Sequence, residues 1–96
     1  MSDRITEKML NNLVAQLNDL TLTDRAPYCR NPSGKLVANI GTYYLDMQYG
    51  GVNLSQMVSV GGGITCPLGQ GMRSKRELYG ELKAMIAGLT LAGELL

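Results

Sequence analysis

The sequence predicts an α+β fold in which two helices pack on one face of a small antiparallel sheet. Three observations carry that reading. An apolar stripe with a 3.6-residue period opens the chain, strict alternation flanks a Gly-Gly pair in the middle, and a capped apolar stripe occupies the end. Each element follows from its own residues.

Ile5, Met9, Leu10, Leu13, Leu17 and Leu20 recur on one helical face, with Ser2 or Asp3 available as the cap. Glu7, Lys8, Asn11, Asn12 and Asn18 fall on the opposite, water-facing side. Thr21, Thr23 and Asp24 break the pattern. Arg25 to Lys35 reads as a loop, because two prolines and an Asn-Pro-Ser-Gly turn leave no period to follow. Residues 36–60 read as sheet. Tyr43 to Tyr49 alternates, Val52 to Val60 alternates, and Gly50-Gly51 between them suits a two-residue primed hairpin turn. That turn would pair Tyr49 with Val52, Met47 with Leu54, Leu45 with Gln56 and Tyr43 with Val58. The face these residues share is apolar apart from Gln56, whereas the other carries Tyr44, Asp46, Gln48, Asn53, Ser55 and Ser59. Met57 is the one apolar exception there. Ile64-Thr65-Cys66 is a short third strand ended by Pro67.

The second helix starts at Ser74, where Ser74-Lys75-Arg76-Glu77 forms a capping box. Leu78, Leu82, Met85, Ile86 and Leu89 make its apolar stripe. Gly80, Ala84 and Gly88 make a second stripe of small residues. Glycine inside a helix costs about 1 kcal/mol relative to alanine, so these glycines call for a close neighbour, either the first helix or a symmetry mate. No repeat or linker divides the chain, and residues 1–96 read as one domain.

Composition narrows the function. Nine Lys+Arg against eight Asp+Glu leave a net charge of +1, which argues against a uniformly basic nucleic-acid-binding domain but not against a local basic patch. The absence of histidine removes the commonest general base, the Ser-His and Cys-His nucleophile systems and the commonest metal ligand. Cys29 and Cys66 are too few and too far apart for a disulfide scaffold or a zinc site, and read as reduced thiols. Met1–Asn11 holds four charges and no apolar run, so no signal peptide is expected. The most apolar stretch, Ala84 to Gly93, is about half a membrane span. The expectation is a cytoplasmic protein without membrane contact, cofactor or metal.

Among the carboxylates, Glu77 is already explained as a cap and no pair forms a hydrolytic dyad, so the chain is not expected to be an enzyme. The glycine triplet Gly61-Gly62-Gly63 precedes a helix start surrounded by Arg73, Ser74, Lys75 and Arg76. Glycine amides, a helix N-terminus and nearby cations together describe an anion site, although the spacing matches neither the phosphate-loop nor the dinucleotide fingerprint. The alternative is a plain bend followed by a solvated first turn. Tyr43, Tyr49 and Tyr79 suit the core side. Tyr28 and Tyr44 are placed to stack on a base or grip a protein.

The stretch Tyr49-Gly50-Gly51-Val52-x-Leu54, then Gly61-Gly62-Gly63, then Ser74-Lys75-Arg76-Glu77-Leu78-Tyr79 and Ala87-Gly88-Leu89 resembles small accessory proteins of tailed phages and prophages. The resemblance covers residues 43–89 and implies a phage-type binding protein that counters host defence. Two partners are then expected. One is a small anionic nucleotide signal, sequestered by Gly61, Gly62, Gly63, Arg73, Ser74, Lys75 and Arg76 with Tyr28 or Tyr44 stacking the base. The other is a host defence nuclease or other host enzyme, covered through an open sheet face bearing Tyr44, Gln48 and Met57. A chain of 10.4 kDa has a folded surface of roughly 5,400 Å² and a thin core. With two faces on its second helix, it is expected to be a homo-oligomer, a dimer or higher.

Overall fold

The computed structural model describes residues 4–95. It is an α+β fold: helix α1 (Glu7–Leu20), strands β1 (Tyr28–Arg30), β2 (Leu36–Ala38), β3 (Tyr43–Gln48), β4 (Gly51–Met57) and β5 (Ile64–Thr65), then helix α2 (Lys75–Leu95). Strands β3-β4-β5 form an antiparallel meander, and β1 pairs with β2 in a separate two-stranded sheet. The β1–β2 hairpin corrects the loop expected over Arg25–Lys35. Tyr28-Cys29-Arg30 has no apolar alternation, since all three residues are exposed. The turn forms around Asn31, whose Oδ1 accepts from the Ser33 and Lys35 amides at 3.0 and 2.9 Å.

Helix α1 starts at Thr6, whose hydroxyl accepts from the Met9 amide at 3.2 Å. The caps expected at Ser2 or Asp3 lie outside the described residues. Leu10, Val14 and Leu17 are buried, and Ile5 and Leu13 pack against them. Leu20 is largely exposed at the helix end. Asn18, expected on the wet side, is fully buried.

The central hairpin forms with its turn one residue earlier than expected. Gln48 pairs with Gly51, Met47 with Val52, Leu45 with Leu54 and Tyr43 with Gln56. The two turn residues are therefore Tyr49 and Gly50, with φ of 51° and 78°, as a primed turn requires. Gly51 is needed in the strand instead. A Cβ there would lie 2.5 Å from Met72 Cβ, because residues 72 and 73 run alongside and Arg73 exchanges two backbone hydrogen bonds with Val52 at 2.9 and 2.8 Å. Moving the turn by one residue shifts each pairing by two, so every side chain keeps its face. Val52 and Leu54 accordingly join Leu10, Val14, Leu17, Leu78, Leu82 and Ile86 in the core. Tyr49, expected on the core side, projects wholly into solvent at the turn, whereas Tyr43 and Tyr79 do pack on the core.

The other sheet face is not open, contrary to expectation. Asn53, Ser55 and Met57 are at most 3% exposed. The segment Leu68–Arg73 lies over Asn53, whose amide donates to Gly69 O at 3.1 Å. At the far end Ala38 of β2 donates to Val60 O at 3.1 Å, and Gly41 to Met57 O at 2.8 Å. The polar face is thus closed by the chain itself, with Gln48 left exposed near the turn.

The capping box at α2 forms as read: Ser74 Oγ accepts from the Glu77 amide at 3.1 Å, and Glu77 Oε1 accepts from the Ser74 amide at 3.0 Å. Leu78, Leu82 and Ile86 are buried, Met85 packs against them, and Leu89 is already exposed. Gly80, Ala84 and Gly88 face away from α1, into solvent.

Candidate functional site

The structure separates the two halves of the expected anion site. Gly61–Gly63 belong to the turn that joins β4 to β5, beyond Met57. Arg73 bridges to Val52, at the opposite end of β4. The five residue steps of antiparallel strand from Val52 to Met57 span about 17 Å. Each half is also occupied with local work. The Gly62 amide donates to Ser59 O at 3.2 Å and the Gly63 amide to Ser59 Oγ at 2.9 Å, which closes the turn.

Arg73 is held by six groups of its own chain. Its guanidinium donates to Asn53 Oδ1 at 2.7 Å and to Gly71 O at 3.0 Å, reaches Leu68 O and Gly69 O, and ion-pairs with Glu81, while its backbone pairs with Val52. Its side chain is only 16% exposed. Arg73 therefore fastens the 68–73 segment to β4 and α2. At the start of α2 the Glu77 carboxylate already fills the negative role. The Ser74 backbone N–H and then its hydroxyl hold that carboxyl below the ordinary range. Lys75 is half-buried and Arg76 exposed on this first turn.

The two tyrosines fare differently. The Tyr28 hydroxyl lies 3.3 Å from the position of a Cβ on Gly62, so β1 and the glycine turn are neighbours. Tyr44 stands on the same side of the sheet, close enough to Tyr28, Cys66 and Asp46 to feel their charges. Burial raises the Tyr44 phenol above its ordinary value; the Ser55 side chain opposes the rise, and those neighbours add to it. Tyr28, Gly62 and Tyr44 thus share a neighbourhood, while Arg73 is held at the Val52 end of β4.

A different site emerges along the outer edge of β3. Asn18 Nδ2 donates to Tyr43 O at 2.9 Å, and Tyr43 N donates to Asn18 Oδ1 at 2.8 Å. The buried amide of a helix residue thus pairs with the strand as a neighbouring peptide would. Thr23 Oγ1 completes the arrangement by donating to Asn18 Oδ1 at 2.8 Å. Because the groups of Tyr43 point away from β4, strand alternation turns those of Leu45 and Met47 the same way. Among the described residues neither has a backbone partner outside the β3–β4 ladder.

Beside this edge lies a groove of about 390 Å³, lined by Asn11, Val14, Ala15 and Asn18 of α1, Arg25 and Pro27, and Tyr43, Tyr44 and Leu45. Tyr43 and Leu45 come from one face of β3 and Tyr44 from the other. A cavity that touches both faces of a strand lies along its edge. Arg25 closes one end, paired through Nε to Asp19 Oδ1 at 3.0 Å and through a second guanidinium nitrogen to Oδ2. This pairing holds the exposed Asp19 carboxyl below its ordinary range.

Sequence reasoning named Tyr44 from this site and missed Asn18, Arg25 and Leu45 as its members. The available signal was Asn18 itself, which lies beside the apolar stripe of α1 and one residue from Leu17. The edge groove holds no nucleophile–base pair. Among the described residues no three His, Cys, Asp or Glu side chains gather as a metal site, and both cysteines are free thiols. No described helix is long and apolar enough to cross a membrane. The chain matches no protein-family model, and no match is found among the curated proteins or the solved structures.

Proposed function

We propose that the chain is a non-enzymatic binding protein that engages an extended segment of a partner protein along the outer edge of β3, and that it works as a homo-oligomer. The observation that carries the reading is the row of outward backbone groups at Leu45 and Met47 beside a ready groove. A partner strand would add its own backbone to these groups and lay alternate side chains into the groove, the mode known as β-augmentation. Asp46, between them, favours a partner carrying Lys or Arg at the position opposite. Together with the resemblance of residues 43–89, this describes a phage-type protein that inhibits a host defence enzyme by binding it.

A second reading, sequestration of a small anionic nucleotide, draws support from the same groove. Its volume suits a small ligand, and both Tyr44 and Arg25 line it. In that case the ligand would sit at the edge of β3, away from Gly61–Gly63 and Arg73.

One pair of experiments separates these readings. Met47→Pro removes an outward N–H while leaving the β4 ladder intact, as proline on an edge strand does. Protein captured stoichiometrically from a bacterial lysate by the wild type should be lost with Met47→Pro and retained with Gly61→Ala. Capture unaffected by Met47→Pro would exclude the edge. For the nucleotide reading, a ligand at 100 times its dissociation constant should add about 2.7 kcal/mol of stability in thermal melts. Absence of any shift with cyclic dinucleotides at millimolar concentration would exclude them as ligands.

A further inference from the structure

The chain exposes 6297 Å² of surface, against roughly 5,400 Å² for a compact chain of its mass. The surplus of about 900 Å² is close to the roughly 800 Å² that each partner gives to a standard interface. The radius of gyration, 14.3 Å, likewise exceeds the roughly 12.5 Å of a compact chain of this length.

The second half of α2 is part of that exposed surface. The helix runs 21 residues, about 31 Å, but its buried positions Leu78, Leu82 and Ile86 all fall within its first twelve. From Ala87 to Gly93 every residue is exposed. No charge relieves this section: Lys83 and Glu94 bracket ten uncharged residues, and Thr90 spends its hydroxyl on Ile86 O at 2.8 Å. At 100° per residue, Leu78, Leu82, Met85, Ile86 and Leu89 point to the core side. Gly80, Ala84, Ala87, Gly88 and Leu91 point the opposite way, and Leu91 is 59% exposed. Apart from the helix's own neighbouring backbone, nothing among the described residues comes within 4 Å of a Cβ placed on Gly80 or Gly88. A helix that is apolar all round is a helix meant to be covered.

A second copy could meet the chain at this face or at the β3 edge. The antiparallel edge register that uses both outward residues and leaves Tyr43 to Asn18 sets Met47 against Leu45 of the other copy, and Asp46 directly against Asp46. Like charges in that position repel. The α2 face carries no such penalty. An antiparallel pair centred between Gly88 and Leu89 lets the uncharged stretch Ala84–Gly93 pair only with itself. Each Leu91 then seats on the small residues Ala84 and Ala87 of the other copy, a self-complementary contact as twofold symmetry requires.

We infer that two copies associate through the outer face of the C-terminal half of α2, with Leu91 as the anchor on each side. The inference rests on the homo-oligomer reading and assigns its surface.

Sedimentation equilibrium on the full chain tests it. The wild type should show twice the chain mass of 10.4 kDa at micromolar concentration. Leu91→Glu and Ala87→Glu, at exposed positions outside the core, should each weaken association at least tenfold while the circular dichroism of the fold is retained. Met47→Pro should leave association unchanged. A wild type at the single-chain mass, independent of dilution, would overturn the oligomer reading and this inference together. A dimer unaffected by Leu91→Glu and Ala87→Glu would overturn the inference alone.

Discussion

The two ends of strand β4 carry glycines that look alike in the sequence and do different things. At the start, Gly50 supplies a left-handed turn residue, while Gly51 makes room for Met72 and so lets residue 73 bridge to Val52. At the far end, Gly61–Gly63 close a turn whose amides are spent on Ser59, and a Cβ on Gly61 would meet nothing. The first end is tied to α2 through Arg73, Asn53 and Glu81; the second is tied to β2, β5 and the Gly41–Thr42 connection, with Tyr28 of β1 beside its turn. A glycine cluster therefore reveals little about ligands until one knows what lies against it.

Substitutions can break or sharpen this contrast. The largest effect is expected from Gly51→Ala, which forces Met72 and the Arg73 bridge away from β4. Overpacking and the weakened bridge bonds should cost about 2–3 kcal/mol, measured by denaturant unfolding. Gly61→Ala, at the other end, should stay within about 0.5 kcal/mol of wild type; a loss as large as that of Gly51→Ala would erase the distinction.

Next in size is Tyr49→Asn. Tyr49 occupies a left-handed conformation that costs an ordinary residue roughly 1–2 kcal/mol, and asparagine tolerates it. The variant should gain about 1 kcal/mol and raise the melting temperature by roughly 4–8 °C. No gain would mean that Tyr49 makes a stabilising contact its full exposure conceals.

The smallest effect belongs to pH. The native Glu77 carboxyl lies below its usual value of 4.5, chiefly through the Ser74 backbone N–H. Its contribution is complete above that value and is lost as pH falls through the lowered native one. Glu77→Gln keeps a capping side chain but cannot titrate. The stability difference between wild type and variant should therefore be constant at neutral pH and shrink below about pH 4.5, followed by thermal melts. A difference independent of pH would show that the carboxylate charge is immaterial to the cap.

Much of the fold was legible because periodicity and caps are local. The stripe of α1, the alternation of β3 and β4, the short β5 and the Ser74–Glu77 box all formed where the residues indicated. What sequence reasoning missed was set by contacts between distant segments. Gly51 looked like a turn glycine because Met72, 21 positions later, was not yet beside it. Asn18 looked solvated because its partner, Tyr43, lies 25 positions on. The open polar face vanished because the segment carrying Arg73 folded over Asn53. Tyr28-Cys29-Arg30 became a strand without an apolar pattern, since an exposed ribbon needs backbone pairing and no buried face. The groove was the least legible feature, since it is the gap left between a helix and a strand edge.

The Asn18–Tyr43 pairing has a consequence measurable in time. In deuterated water, the amide of Tyr43 is shielded by a buried helix side chain, and those of Tyr44, Asp46 and Gln48 by β4. The amides of Leu45 and Met47 face outward with no backbone partner outside the ladder among the described residues. Strand β3 should therefore take up deuterium in an alternating sequence, slow at residues 43, 44, 46 and 48 and fast at 45 and 47. A strand laid along the edge would slow the fast pair and leave the others as they were, so the kinetics along six consecutive amides would record whether the edge is occupied.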